Sequence, residues 1–183
     1  MVVSGSTLWA VACLLVVQFH AVSKLGVFSM KSIAGVIGLV RVRRAPFWLS
    51  LALVLSAAMA LIYRDYRGLE LLPQTLGAFA LTAVSIGVME ELVFRGYLMW
   101  LGRFAGSWGA ILLCALAHAL YKSLLFVQAQ DNNILILGLF TFLVGIFLGL
   151  ARRKSNSLYP CLLFHAIFDL AVYGDGGTPW WVW

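Results

Sequence analysis

Val88-Met89-Glu90-Glu91-Leu92-Val93-Phe94-Arg95-Gly96 sets two adjacent carboxylates and an arginine inside a long apolar stretch. An ionisable side chain at the centre of a transmembrane helix costs about 2.5–3.5 kcal/mol on insertion scales, so such a cluster reads as functional by default. Two later apolar stretches also carry polar groups: His118 in one, and His165 with Asp169 in the other. Three separate helices are thus expected to meet around one polar site.

Of the 183 residues, 63% are hydrophobic and 11% charged, against about 45–50% and 25% in soluble domains. Too little polar surface remains to coat a globule, so the solvent is lipid. The net charge of +6 does not indicate nucleic acid, because the basic residues fall between the apolar runs, as the positive-inside rule describes. Cys13, Cys114 and Cys161 all lie in apolar stretches and read as free thiols acting as small hydrophobes. Residues 1–7 carry no lysine or arginine, so the first apolar run reads as a retained helix, not a cleaved signal.

The expected fold is all-α, a polytopic membrane helix bundle forming a single domain over 1–183. Six apolar runs stand out, at about 8–22, 47–63, 76–100, 108–128, 134–151 and 157–173. They are too long for barrel strands. The segment 25–40, with Lys31 and three glycines, reads as interfacial or partly inserted. Lys24, Lys31, Arg41, Arg43, Arg44, Arg103, Arg152, Arg153 and Lys154 all fall in alternate connections. Six spans with an external N-terminus put these basic loops in the cytoplasm and Trp180, Trp181 and Trp183 at the outer interface, whereas a seventh span breaks the arithmetic. Gly138, Gly145 and Gly149 fall near one helical stripe, for close helix packing or as room for a substrate helix.

Glu90, His118 and His165 each lie about eight to ten residues from the cytoplasmic end of their runs, or roughly 12–15 Å deep at 1.5 Å per residue. Glu91 and Arg95 have the spacing of a helical ion pair and read as structural support. Glu90 projects about 100° away from Glu91, free for chemistry. Asp169, one helical turn beyond His165, can accept the imidazole proton and fix its tautomer. His20 has no such partners and reads as interfacial or structural. The chemistry that fits is attack of water on an amide. Glu90 is the general base, one histidine shares the water, and the other donates to the developing oxyanion. Glu90, His118 and His165 can also bind zinc; the metal-free reading is preferred and the choice stays open. A proton-coupled transporter is the rival reading, and the lack of an internal repeat argues against it.

These residues resemble the CPBP family, the CAAX type II prenyl endopeptidases and their bacterial relatives, also called Abi proteins. Its Glu-Glu-x-x-x-Arg motif is matched by Glu90, Glu91 and Arg95, its second-motif histidine by His118, and its His-x-x-x-Asn motif by His165 and Asp169. The resemblance covers roughly 75–175. It implies that Glu90 activates water together with His118, that His165 and residue 169 stabilise the oxyanion, and that Glu91 and Arg95 hold the site together. Relatives are described both as metalloproteases and as metal-free, glutamate-dependent proteases. Two departures stand out. Cys114 takes a place often held by Phe, and Asp169 one where an amide is common. An ionised Asp cannot donate to an oxyanion, so Asp169 either stays protonated or orients His165. The implied partner is a membrane-anchored protein or peptide substrate, either prenylated or carrying a C-terminal sorting helix, within the lipid bilayer of a prokaryotic plasma membrane. A non-catalytic binding or immunity role is the family's other reading.

Overall fold

Helices satisfy their own backbone hydrogen bonds in hydrocarbon, and every regular element among the described residues is helical. The computed structural model describes residues 20, 30–126 and 134–175. In chain order these form α1 (Met30–Ile37), α2 (Ala45–Tyr66), α3 (Ala78–Glu91), a π-helical segment (Leu92–Leu98), α4 (Met99–Leu101), a 3₁₀ turn (Gly102–Ala105), α5 (Gly106–Phe126), α6 (Ile134–Ser155) and α7 (Tyr159–Tyr173). Pro46 and Pro160 stand in the first turns of α2 and α7, where no intrahelical N–H is needed. Asn156, at φ 54°, turns the chain between α6 and α7; Asn tolerates this left-handed backbone better than most residues.

Among the described residues, three helical runs are long and apolar enough to cross a membrane: Ala45–Tyr66, Ala78–Leu125 and Ile134–Ser155. The runs expected at 76–100 and 108–128 are one helical stretch of 48 residues, about 70 Å if straight. It is not straight. The 3₁₀ turn and Gly106, at φ 75°, reverse the chain so that α5 folds back on the π-helical segment. The last run, Tyr159–Tyr173, is apolar but shorter. Apart from His20, the 8–22 run lies outside the described residues, as do Trp180, Trp181 and Trp183. His20 is exposed, its ring edge-on to Tyr97 at 6.3 Å. Within 25–40, the described helix α1 covers eight residues; it packs on the π-helical segment, with Ile37 against Gly96.

The outer surface is apolar. Ile62, Leu81, Leu113, Leu124, Leu135 and Leu143 are exposed, whereas Arg64, Glu90, Glu91 and Arg95 are buried. This inversion of the soluble pattern suits a bundle solvated by lipid. Inside, α5 and α6 pack antiparallel through the glycine stripe. A Cβ on Gly149 would come within 2.9 Å of Ile111, one on Gly145 within 2.9 Å of Ala115, and one on Gly138 within 2.9 Å of Ser123. Close packing is thus the role of the stripe. Helix α7 lies against α2 and α3. Ser56 Oγ donates to the Phe164 carbonyl at 2.7 Å, and Ala52, Leu148, Leu158, Cys161 and Phe164 form the apolar core around it. Cys114 and Cys161 are buried free thiols.

One end of the bundle is tied by Arg64. Its guanidinium donates to the carbonyls of Glu70 (2.5 Å) and Ala171 (2.7 Å) and to Asp175 Oδ2 (2.5 Å). Asp175 Oδ1 accepts from the backbone N–H of Gln74 at 2.5 Å. The Arg64 hydrogen bond holds the Asp175 carboxyl below the usual carboxylate range. A depressed folded-state pKa contributes stability above the unfolded value, and that contribution fades as pH falls through the folded one. Asp175→Asn should therefore lower the melting temperature at pH 7. The gap to wild type should close as the pH drops below the ordinary Asp value of 3.8, in thermal melts of the purified protein.

Candidate active site

Glu90 and Glu91 end α3, and Arg95 lies in the π-helical segment that follows. In that segment Val93, Phe94, Arg95, Gly96 and Tyr97 are all buried, and Leu92 and Leu98 at its ends are half-buried. π-Helical bonding inside an α-helix is rare and frequent at functional sites. Here it follows directly on the acid pair. The remaining side chains come from the middle of α5 (His118, Lys122) and of α7 (His165, Asp169).

Arg95 Nη1 donates to Glu91 Oε1 and to His118 Nδ1, both at 2.9 Å. A guanidinium only donates, so His118 Nδ1 must accept. The neutral ring then carries its proton on Nε2, which donates to Glu90 Oε2 at 3.2 Å. Phe94 packs on the His118 ring at 4.6 Å, and Tyr121 lies nearly parallel to it at 6.4 Å. His165 Nδ1 donates to the same Glu91 Oε1 at 2.9 Å. Its Nε2 lies 3.5 Å from Glu90 Oε2 and 3.8 Å from Asp169 Oδ2. The two imidazole centroids are 6.2 Å apart.

All six residues singled out in the sequence, Glu90, Glu91, Arg95, His118, His165 and Asp169, therefore face one buried cluster. The pairing differs from expectation in two respects. The acid that fixes His165 through Nδ1 is Glu91, not Asp169, whose carboxylate stands beyond hydrogen-bond distance of Nε2. Glu90 is not left without partners: besides His118 it pairs with Lys122, whose Nζ is 2.7 Å from Glu90 Oε1. Lys122 lies one helical turn after His118, a spacing that signals a shared face. Gly87, which carries no charge or polarity to mark it in the sequence, also belongs to the site. A Cβ there would come within 2.6 Å of Asp169 Oδ2 and 2.8 Å of His165 Cδ2, so α3 and α7 meet at the site only because this side chain is absent.

An acid pair anchored by arginine and opposed by two imidazoles at the centre of apolar helices supplies groups that can take up and donate protons. The chain matches the family "Type II CAAX prenyl endopeptidase Rce1-like" over residues 72–171, and it belongs to that family. Members of this family are membrane proteases, and this protein is an integral membrane protein of that class. No curated protein and no solved structure matches the chain.

Gly87→Ala should push His165 and Asp169 aside. Misplacement of about 1 Å at a reacting centre costs about 100-fold, so peptide cleavage should fall by at least about tenfold while the protein still purifies as a folded species. Lys122→Met removes one partner of a largely buried ion pair, a loss worth about 3 kcal/mol. The expected result is a lower midpoint in denaturant titration, with Lys122→Arg nearer to wild type.

Proposed function

We propose that this protein is an intramembrane endopeptidase that hydrolyses a peptide bond near the C-terminal or membrane-embedded segment of a membrane-anchored protein, using water activated by Glu90. The observation that carries the reading is the convergence on Glu90 Oε2 of His118 Nε2 at 3.2 Å and His165 Nε2 at 3.5 Å, from three separate helices. A water oxygen held against Glu90 attacks the carbonyl carbon as its proton passes to the carboxylate. The protonated Glu90 then delivers that proton to the leaving amine, and the carboxylate is regenerated.

The imidazoles have distinct parts in this scheme. His118 is held as an Nε2–H donor by Arg95, so it orients Glu90 and the water and is not itself the base. His165 donates a hydrogen bond from its Nδ1–H to Glu91. To donate to an oxyanion from Nε2 it must carry a second proton. The charge count accommodates this: Glu90, Glu91 and Asp169 face Arg95 and Lys122, and one further positive charge makes the cluster neutral. Asp169 then acts as a nearby counter-charge, which needs no donor capacity and suits an acid in place of an amide.

The metal-free reading is supported by the same tautomer. Zinc on His118 Nε2 would require the ring proton on Nδ1, facing the Arg95 N–H at 2.9 Å. The proposed topology is six crossings with the basic connections in the cytoplasm.

The test compares membrane-protein termini by mass spectrometry in cells expressing wild type or Glu90→Gln. New C-termini should depend on wild type and vanish with Glu90→Gln, a loss of at least about 100-fold for a general base. Identical termini in both strains would count against proteolysis. A phenotype that survives the substitution would point to a binding role.

A further inference from the structure

Lys122 has no part in the activation of water by Glu90, yet it touches that residue. Its Nζ stands 2.7 Å from Glu90 Oε1. The other oxygen, Oε2, accepts from His118 Nε2 at 3.2 Å and is faced by His165 Nε2 at 3.5 Å. The base thus has imidazoles on one oxygen and an ammonium on the other. The ammonium contact is an ion pair without hydrogen-bond alignment, because Glu90 Oε1 is buried and has no hydrogen-bond partner. Lys122 is also the most accessible member of the cluster. Its side chain is 22% exposed, against 0% for Glu90, Glu91 and Arg95 and at most 11% for His118, His165 and Asp169.

Attack of water on an amide turns the carbonyl oxygen into an anion, which needs preorganised donors. The cluster has few to offer. Arg95 donates from Nη1 to Glu91 and His118, and its whole side chain is buried. The Nε2–H of His118 is on Glu90, and the Nδ1–H of His165 is on Glu91. An ionised Asp169 only accepts. An ammonium carries three donors, and those of Lys122 are not aligned on Glu90. Of the cationic and imidazole groups, Lys122 is the accessible one that can donate without gaining a proton.

We propose that Lys122 is a catalytic residue: its ammonium leaves Glu90 Oε1 as substrate arrives and donates to the oxygen of the scissile carbonyl, with protonated His165 as the second donor. The proposal rests on the peptidase reading above. The movement of charge in the reaction favours this exchange. One O–H bond of the water breaks and its proton goes to Glu90. The water oxygen bonds the carbonyl carbon, and the carbonyl π pair moves onto its own oxygen. Negative charge therefore leaves the carboxylate and reappears on the oxyanion, and the cation that matched the first can match the second. A lysine suits the transfer, being a point charge on a flexible four-carbon stem. Between turnovers the same cation is compensated by Glu90, so it is never left buried without a counter-charge.

Wild type, Lys122→Met and Lys122→Arg are compared in phosphatidylcholine nanodiscs. The probes are a quenched fluorescent farnesylated peptide and the same peptide with a phosphinate in place of the scissile amide, a tetrahedral anion like the intermediate. Lys122→Met should lower kcat by at least about 100-fold, the scale of one oxyanion donor, with KM within about threefold of wild type. Phosphinate affinity should fall by at least about 100-fold, while affinity for the peptide itself, measured with Glu90→Gln added to stop cleavage, stays within about threefold. Lys122→Arg should recover at least about tenfold of each loss, because it restores a charged donor. Should Lys122→Met not fold, Lys122→Gln, which keeps a polar group beside Glu90, carries the same comparison. A kcat within about tenfold of wild type, or equal losses of phosphinate and peptide affinity, would overturn the proposal and leave Lys122 as the partner of Glu90 alone. Wild type that neither cleaves the peptide nor binds the phosphinate more tightly than the peptide removes the peptidase reading itself.

Discussion

The Arg95 guanidinium organises the centre of this bundle. It is 1% exposed, and a guanidinium is a cation. A buried permanent cation must be met by acceptors, or it leaves an uncompensated charge worth several kcal/mol. It is met by Glu91 and by the Nδ1 of His118, each at 2.9 Å. The first contact fixes the carboxylate that also orients His165. The second fixes the tautomer of His118 and hence the proton that points at Glu90. Two imidazoles on different helices thus take complementary hydrogen-bonding states from one side chain.

The residues of this cluster could be read from the sequence because each carries a large penalty in lipid and recurs at helical spacing. Glu91 with Arg95 was legible as a pair for the same reason, since both partners lie on one helix. The pairing of His165 was not. Asp169 is its neighbour on α7, yet the contact at Nδ1 comes from Glu91 on α3. That contact depends on how far α3 is rotated and how closely α7 approaches it. The approach is set by the missing side chain at Gly87, and the path of the chain just beyond Glu91 by the π-helical segment. Neither feature has a periodic signature. Lys122 could have been found by extending from His118 by one turn. As a lysine near the end of an apolar run, it resembles an ordinary interfacial anchor.

The helical architecture followed from hydropathy, and the reversal between α3 and α5 was legible in outline. The two runs are joined by the 3₁₀ turn Gly102–Ala105 and by Gly106, inside the connection expected between them, and the chain reverses there within a few residues. A window average reports the apolar content of such a turn and not its direction. The family match over residues 72–171 covers α3 through most of α7, which contain every residue of the buried cluster.

The glycine contacts between α5 and α6 make those helices a stiff pair, because close backbone approach leaves little room for sliding. Helix α3, by contrast, packs chiefly on α7, and what bridges α3 to α5 is Glu90 reaching His118 and Lys122. The seam between α3 and α5 is therefore fastened by electrostatics more than by interlocked side chains. The grip of such a fastening depends on the local dielectric constant. A dry seam holds tightly, and water entering it would loosen it.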